Sequence, residues 1–237
     1  MTHIETPEDK RLVWYLAMEE YIGQHIFRYA GGAFFTWVVS PTVIFGRHQQ
    51  MSAEVNTDYC AANGIQVFRR KSGGGCVYAD RGNLMLSYVV PSTHAEQVFQ
   101  QYLNTVAKVL NTLDLDAVTT EHNDILVDGR KVSGNACYAM KDCTIVHGTM
   151  LYDVDFTQLT QAITPSGEKL IKHGLKSVRQ RVRNLKPLLK ETPDIGHLAS
   201  YLIQHITKSV TALSNDDCAA IDRIEQTYLN PEFIHRL

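Results

Sequence analysis

The sequence predicts an α+β fold: a mixed or antiparallel central sheet flanked by helices. Three observations carry this. β-rich runs crowd the middle of the chain, helical periodicity dominates both sides of them, and no Gly/Ser/Pro-rich linker divides the 237 residues. The expectation is one domain over residues 1–237.

In chain order, Thr6-Pro7 ahead of "EDKRLVWYLAMEEYI" predicts a helix capped at Thr6 with proline in its first turn. "FFTWVVS" and "TVIFG" are two strands separated by Pro41. "NTDYCAANG" is a short helix closed by Gly64, and "IQVFRR" is a strand running into three consecutive glycines. "CVYAD" and "LMLSYVV" are strands on either side of a turn at Arg81-Gly82. From His94 to Leu113, apolar residues at 98, 99, 103, 106, 109, 110 and 113 form a helical stripe. "DILVDGRKVSGNACYAM" carries Asp128-Gly129, a strong hairpin signal, between two strands. "TIVHGTMLYDV" is a further strand, and helices are expected over 194–213 and 216–229.

Composition narrows the function classes. At 44% hydrophobic and 20% charged residues, the chain is of ordinary globular type. Its 23 basic residues balance 25 acidic ones, which argues against a general nucleic-acid or membrane-surface binder. Nowhere do eighteen apolar residues run together, and the N-terminus has no apolar stretch fit for a signal peptide. Five cysteines without a CxxC spacing argue against a disulfide framework or a structural zinc site, and for a reducing cytoplasm.

The chemistry concentrates at "RRKSGGGCVYADRGN", residues 69–83. Three adjacent glycines are costly in backbone entropy and mark a place where something approaches the main chain closely. No Gly-Lys-Ser/Thr closes the loop, its spacing is not GxGxxG, and a strand rather than a helix follows, so neither a Walker A nor a dinucleotide loop fits. Bare N–H groups beside Arg69, Arg70 and Lys71 suit a phosphate or an acyl phosphate. Elsewhere Lys131 follows the hairpin turn ahead of Ser133 and Gly134, and His147 and Thr149 bracket a glycine in a strand.

Taken in order, "LAMEEYI", "FGRHQQMSAEVN", "RRKSGGGCVYADRGNLMLSYVV", "NDILVDGRKVSGNA", "HGTMLYDVD" and "KSVRQRVRNL" make the chain resemble the lipoate-protein ligase A family, one of the biotin-ligase-like acyltransferases. The resemblance spans roughly residues 10–190. It implies ATP-dependent activation of lipoate to lipoyl-AMP, then transfer to a lysine of a lipoyl domain. The acceptor would be the E2 subunit of a 2-oxoacid dehydrogenase or the glycine-cleavage H protein. It also implies roles for residues. Lys131 is the catalytic cation between the lipoate carboxyl and the α-phosphate. Arg70, Ser72, Gly74, Gly75, Cys76, Val77, Tyr78, Asn83, Asp124 and Ser133 surround the adenylate, with Asp124 a candidate Mg²⁺ ligand. His147, Gly148 and Thr149 border the acyl pocket.

The chain departs from the family pattern in three places. Ala79 replaces a histidine, Cys76 replaces an alanine, and Leu237 ends the sequence where a small C-terminal accessory domain is common in the family. The expectation drawn from the last is that a separate small protein stands in for that domain. The basic stretch Lys169, Lys172, Lys176, Arg179, Arg181 and Arg183 offers such a partner, or an acidic lipoyl domain, a surface. The alternative within the fold is an octanoyl- or lipoyltransferase, or an amidotransferase, that acts without ATP through a cysteine acyl-enzyme. Against it, Ser166 stands in "ITPSGEKL" where one type carries its cysteine, and "DLDAVTTEHND" has none where another does. A biotin ligase would carry a different glycine-arginine pattern, and a silent binding protein would not need Arg70, Lys131 and the whole glycine loop.

Overall fold

A computed structural model describes residues 1–121, 123–163, 181–191 and 194–235. Its two central strands, β6 (Asn83–Val90) and β10 (Thr144–Leu151), are buried at every position. They pair antiparallel from Asn83–Leu151 to Val90–Thr144. Such strands are covered on both faces, which is why "LMLSYVV" shows no polar alternation. Alternate residues feed two separate cores. Met85, Val89 and Ile145 pack with α1 (Leu12–Gln24) and α7 (Asn215–Leu229), whereas Leu84, Leu86 and Val146 pack with α4 (Ala95–Asn111) and α6 (Ile195–Ile206).

The sheet has eight strands. β11 (Ser209–Thr211), β1 (Thr2–Ile4) and β2 (Ala33–Trp37) lie on one side of β6, with β1 parallel to both of its neighbours. On the other side β10 is followed by β9 (Arg130–Ala139), β8 (Asp124–Val127) and β7 (Ala117–Thr119). A second sheet, in the order β4 (Gln66–Arg69), β3 (Thr42–Phe45), β5 (Val77–Ala79), packs over α3 (Thr57–Ala62) and α5 (Phe156–Ala162). The glycine loop therefore connects β4 to β5 as the rim of this small sheet. Among the described residues, the short helices α2 (Met51–Glu54) and α8 (Pro231–Ile234) complete the set. Among the described residues, no helix is long and apolar enough to cross a membrane.

Two expectations change. Helix α1 begins at Leu12, not at Thr6. Asp9 sits at φ +57, which interrupts any helix there, and the Thr6 hydroxyl donates to the Thr36 carbonyl instead of capping. The helix expected over 194–213 ends at Ile206, and Ser209–Thr211 becomes an edge strand beside β1. β1 itself is three residues long, too short to show a period. The hairpin is as anticipated: Asp128 (φ +48) and Gly129 (φ +71) take the two left-handed positions between β8 and β9.

Candidate active site

The loop after β4 is built around Arg70. Its side chain is buried and donates through Nε to Ser72 Oγ (3.1 Å) and the Gly73 carbonyl (3.1 Å). Through Nη2 it reaches the carbonyls of Gly73 and Gly75 (both 2.7 Å), and through Nη1 that of Ile44 (3.2 Å). A planar fork with five donors can tie several carbonyls at once, which an ammonium cannot. Burial lowers its pKa to about 10, so it is still a cation at neutral pH. Gly74 takes φ +91, and its carbonyl lies so near Gly46 that a Cβ there would come within 2.2 Å of the oxygen. Arg70 is thus the inner skeleton of the loop, with most of its donors already engaged. Arg69 is equally internal: it donates to the carbonyls of Arg47 and Gln49 (2.8 Å each).

Lys131 enters from the opposite wall. The pairing of β8 with β9 slips between Ile125 and Leu126, so Val132 is an extra residue between Lys131 and Ser133. A bulge of this kind re-aims the neighbouring side chain. The Lys131 side chain lies across Gly134, where a Cβ would stand 2.7 Å from Cε and 2.8 Å from Nζ. Its ammonium pairs with Asp124 Oδ1 at 2.8 Å, and both side chains keep part of their surface open (36% and 24%). The Lys131 carbonyl accepts from the Arg183 amide, and Arg183 pairs with Asp128 at the hairpin tip.

Between these walls lies a cavity of about 270 Å³. Arg70, Gly74, Gly75, Cys76, Val77, Asp124, Lys131, His147, Gly148 and Thr149 line it, so ten of the residues singled out in the sequence converge on one space. Leu12, Leu16, Ile44 and Met85 supply an apolar wall, and Asn123, Gly134, Asn135 and Ala136 complete the lining. Among the described lining residues, Asp124 is the one carboxylate.

Four sequence-selected residues stand behind the wall instead. Ser72 is buried against His147. Tyr78 turns into the core beneath the small sheet, its hydroxyl donating to Gln158 (3.1 Å). Asn83 is fully buried at the start of β6, with an Oδ1 that has no hydrogen-bond partner. Ser133 donates to Asn135 (3.2 Å), which also accepts from Tyr102. Lys71, expected beside a phosphate, pairs with Glu20 (2.9 Å) and does not line the cavity. Ser166 and Lys169, Lys172, Lys176 and Arg179 lie outside the described residues.

Glu19 was missed by the sequence reading. It is fully buried, accepts from His147 Nδ1 (2.9 Å) and from Ser87 Oγ (2.6 Å), and Ser87 in turn accepts from Trp37 Nε1 (2.9 Å). With Nδ1 donating to the carboxylate, His147 Nε2 accepts the Ser72 hydroxyl (2.7 Å), and Ser72 accepts from Arg70. A continuous chain of buried hydrogen bonds therefore runs from Trp37 on β2 to the glycine loop. Its signal was present: two glutamates interrupt an otherwise apolar helix in "LAMEEYI".

The thiols at the cavity and in the core are not set up as nucleophiles. All five are free thiols. Burial pushes Cys76, at the cavity, up to about 12 and Cys143 up to about 11, and raises Cys137 as well. Thiolate chemistry needs the opposite shift, so the acyl-cysteine alternative has no support in this geometry.

Residues 13–207 match the family described as "Lipoyl protein ligase A/B catalytic domain". Over 223 residues the chain is 34% identical to the lipoate-protein ligase LplJ of Bacillus subtilis (strain 168), covering 94% of this chain. It spans 65% of that relative's length. Among solved structures, the bi-partite lipoate protein ligase of Thermoplasma acidophilum, studied with its E2 lipoyl domain, superposes with a TM-score of 0.89 at 25% identity, over 99% of this chain and 95% of that one. A lipoate-protein ligase A bound with ATP shares the fold, with a TM-score of 0.82 at 23% identity over 98% of this chain and 97% of that one.

Proposed function

The chain belongs to the lipoyl protein ligase A/B catalytic domain family, and from that premise we propose that it activates lipoate with ATP to lipoyl-AMP and transfers the lipoyl group to a lysine of a lipoyl domain. The observation that carries this reading is the convergence of the Arg70-braced glycine loop and Lys131 on one cavity with an apolar wall of Leu12, Leu16, Ile44 and Met85. An acyl adenylate has those needs: a greasy channel for the acyl chain, and cations with bare backbone for the phosphate.

In the first half-reaction a lipoate carboxylate oxygen bonds to the α-phosphorus and pyrophosphate leaves. In the second, the acceptor amine attacks the acyl carbonyl, AMP leaves, and the amine loses its proton. Negative charge shifts between the carboxyl and the α-phosphate in both, and the Lys131 ammonium lies where one fixed cation serves both. Asp124 holds it there at 2.8 Å, so it is in place before charge develops. The glycine loop lets the phosphate approach main-chain N–H groups, with Arg70 fixing the loop's shape. His147, held in one tautomer by Glu19, fixes the floor of the acyl channel.

Mg²⁺ is typically held by one or two carboxylates and the substrate phosphates. Asp124, the one lining carboxylate among the described residues, fits that donor set, and a bound Mg²⁺ would neutralise phosphate charge. The acceptors proposed are E2 or H-protein lipoyl domains in a reducing cytoplasm. The Thermoplasma ligase is bi-partite, and by analogy a second small polypeptide would help this chain in the activation step. The test is an intact-mass assay of a purified lipoyl domain incubated with the chain and lipoate, with and without ATP, with the second polypeptide as a further arm. ATP-dependent gain of one lipoyl group is expected. A gain that is equal without ATP would overturn the adenylate route.

A further inference from the structure

Lys71 and Ser72 are consecutive in the glycine loop, and consecutive residues of α1 hold them. Glu19 reaches Ser72 through His147, and Glu20 takes Lys71 directly, at 2.9 Å. The second hold is shared with α7. The Lys71 ammonium donates to Thr227 Oγ1 (3.1 Å) and lies 4.4 Å from the centre of the Tyr228 ring, while the Tyr228 hydroxyl donates to Glu20. Lysine, glutamate and tyrosine therefore close a cluster of which every member contacts the other two.

Helix α7 is itself fastened to α1 by polar ties along its length. Tyr21 donates to Asp217, Trp14 to Asp222 (2.7 Å), and Arg11 makes two bonds to Glu225 (3.0 and 3.1 Å). Beyond it, the Ile234 carbonyl of α8 accepts from Arg69 Nε (3.1 Å), the residue at the other side of Arg70. These two helices lie past residue 207, where the family match ends. They line no part of the cavity, yet they touch both residues that enter its loop.

We propose that α7 is a latch for the glycine loop. Thr227 and Tyr228, with Glu20, draw Lys71 out of the cavity and so set the position of the Ser72–Gly75 backbone that receives the nucleotide. Glu20, Lys71 and Tyr228 are positioning residues, and none of them lines the cavity. This inference rests on the adenylate reading above for what the loop binds.

The experiment uses the Arg47 amide, which donates to the Ser72 carbonyl (3.0 Å) and exchanges with solvent only when the loop lifts. In Lys71→Met its hydrogen exchange should quicken about tenfold, the scale of one lost charge-assisted contact. The paired amides of β10 should be unchanged. The dissociation constant for ATP should rise by a similar factor. Tyr228→Phe, which keeps the ring and removes only the hydroxyl, should move the same quantities in the same direction by less. Unchanged Arg47 exchange would overturn the latch, and so would an equal acceleration in β10, since that is general loss of stability. If Arg47 responds but the wild-type chain binds no ATP, the adenylate reading fails and the loop restraint stands.

Discussion

Gly134→Ala isolates the placement of the Lys131 ammonium from its presence. A methyl group at 134 would stand 2.7 Å from Lys131 Cε and 2.8 Å from Nζ. Ordinary carbon contacts are about 3.5–4.0 Å, so the lysine tip must retreat on the order of 1 Å. The atoms that yield are the far end of a flexible side chain, and alanine in a strand is favoured over glycine by roughly 0.5–1 kcal/mol. Thermal stability should therefore hold or rise slightly. Catalysis should not. The retreat lengthens the 2.8 Å pair with Asp124 and removes the cation from its fixed place. A misplacement of this size costs on the order of 10²-fold in rate, about 2.7 kcal/mol of transition-state stabilisation. The assay is transfer from synthetic lipoyl-AMP to a lipoyl domain, followed by intact mass, beside a thermal melt. Wild-type transfer in a folded Gly134→Ala protein would refute the claim that Lys131 acts from this position.

Three further outcomes follow from the geometry. Gly148→Ala would place a methyl 1.9 Å from Asn135 Oδ1 on β9 and 2.5 Å from the Tyr102 hydroxyl on α4; overpacking there should cost roughly 1–3 kcal/mol, seen as a lower denaturant midpoint. A variant with all five cysteines replaced by serine or alanine should keep ATP-dependent lipoylation, because burial holds Cys76 and Cys143 as thiols; an acyl adduct trapped on one cysteine would contradict this. Hydrogen bonds, foremost from Tyr21, hold the Asp217 carboxyl well below the usual carboxylate range. A depressed folded-state pKa stabilises above the unfolded value near 4 and is lost as pH falls below it. Asp217→Ala should thus lower stability at pH 7 by about 1–3 kcal/mol, with the deficit shrinking below pH 4 in urea titrations.

What could be read from the sequence followed from strong local signals. The left-handed demand at Asp128-Gly129 and the apolar stripe of α4, six residues of which lie on the helix, each specify their element without help from the rest of the chain. The glycine loop and the lysine hairpin were legible as chemistry for the same reason. What escaped depends on contacts between distant residues. β1 and β11 are three residues each and exist because they pair with one another across two hundred positions. The Thr6-Pro7 signal was real in type, but the Thr36 carbonyl competes for the hydroxyl. Lys71 faces Glu20 of α1 and Thr227 of α7, 156 positions away, while Arg70 turns inward to brace the loop. Adjacent basic residues look alike in a sequence and part company only when their partners are in place.

Single-turnover transfer of lipoyl from synthetic lipoyl-AMP to a lipoyl domain, comparing the wild-type chain with Lys131→Ala, tests the central claim most directly. It bypasses ATP activation and any second polypeptide, and it asks only whether this cavity and this cation perform the acyl transfer. The account predicts efficient transfer by the wild type and a loss on the order of 10²–10³-fold in Lys131→Ala, with the melting temperature little changed. Near-wild-type transfer by Lys131→Ala would contradict it and remove Lys131 from the mechanism.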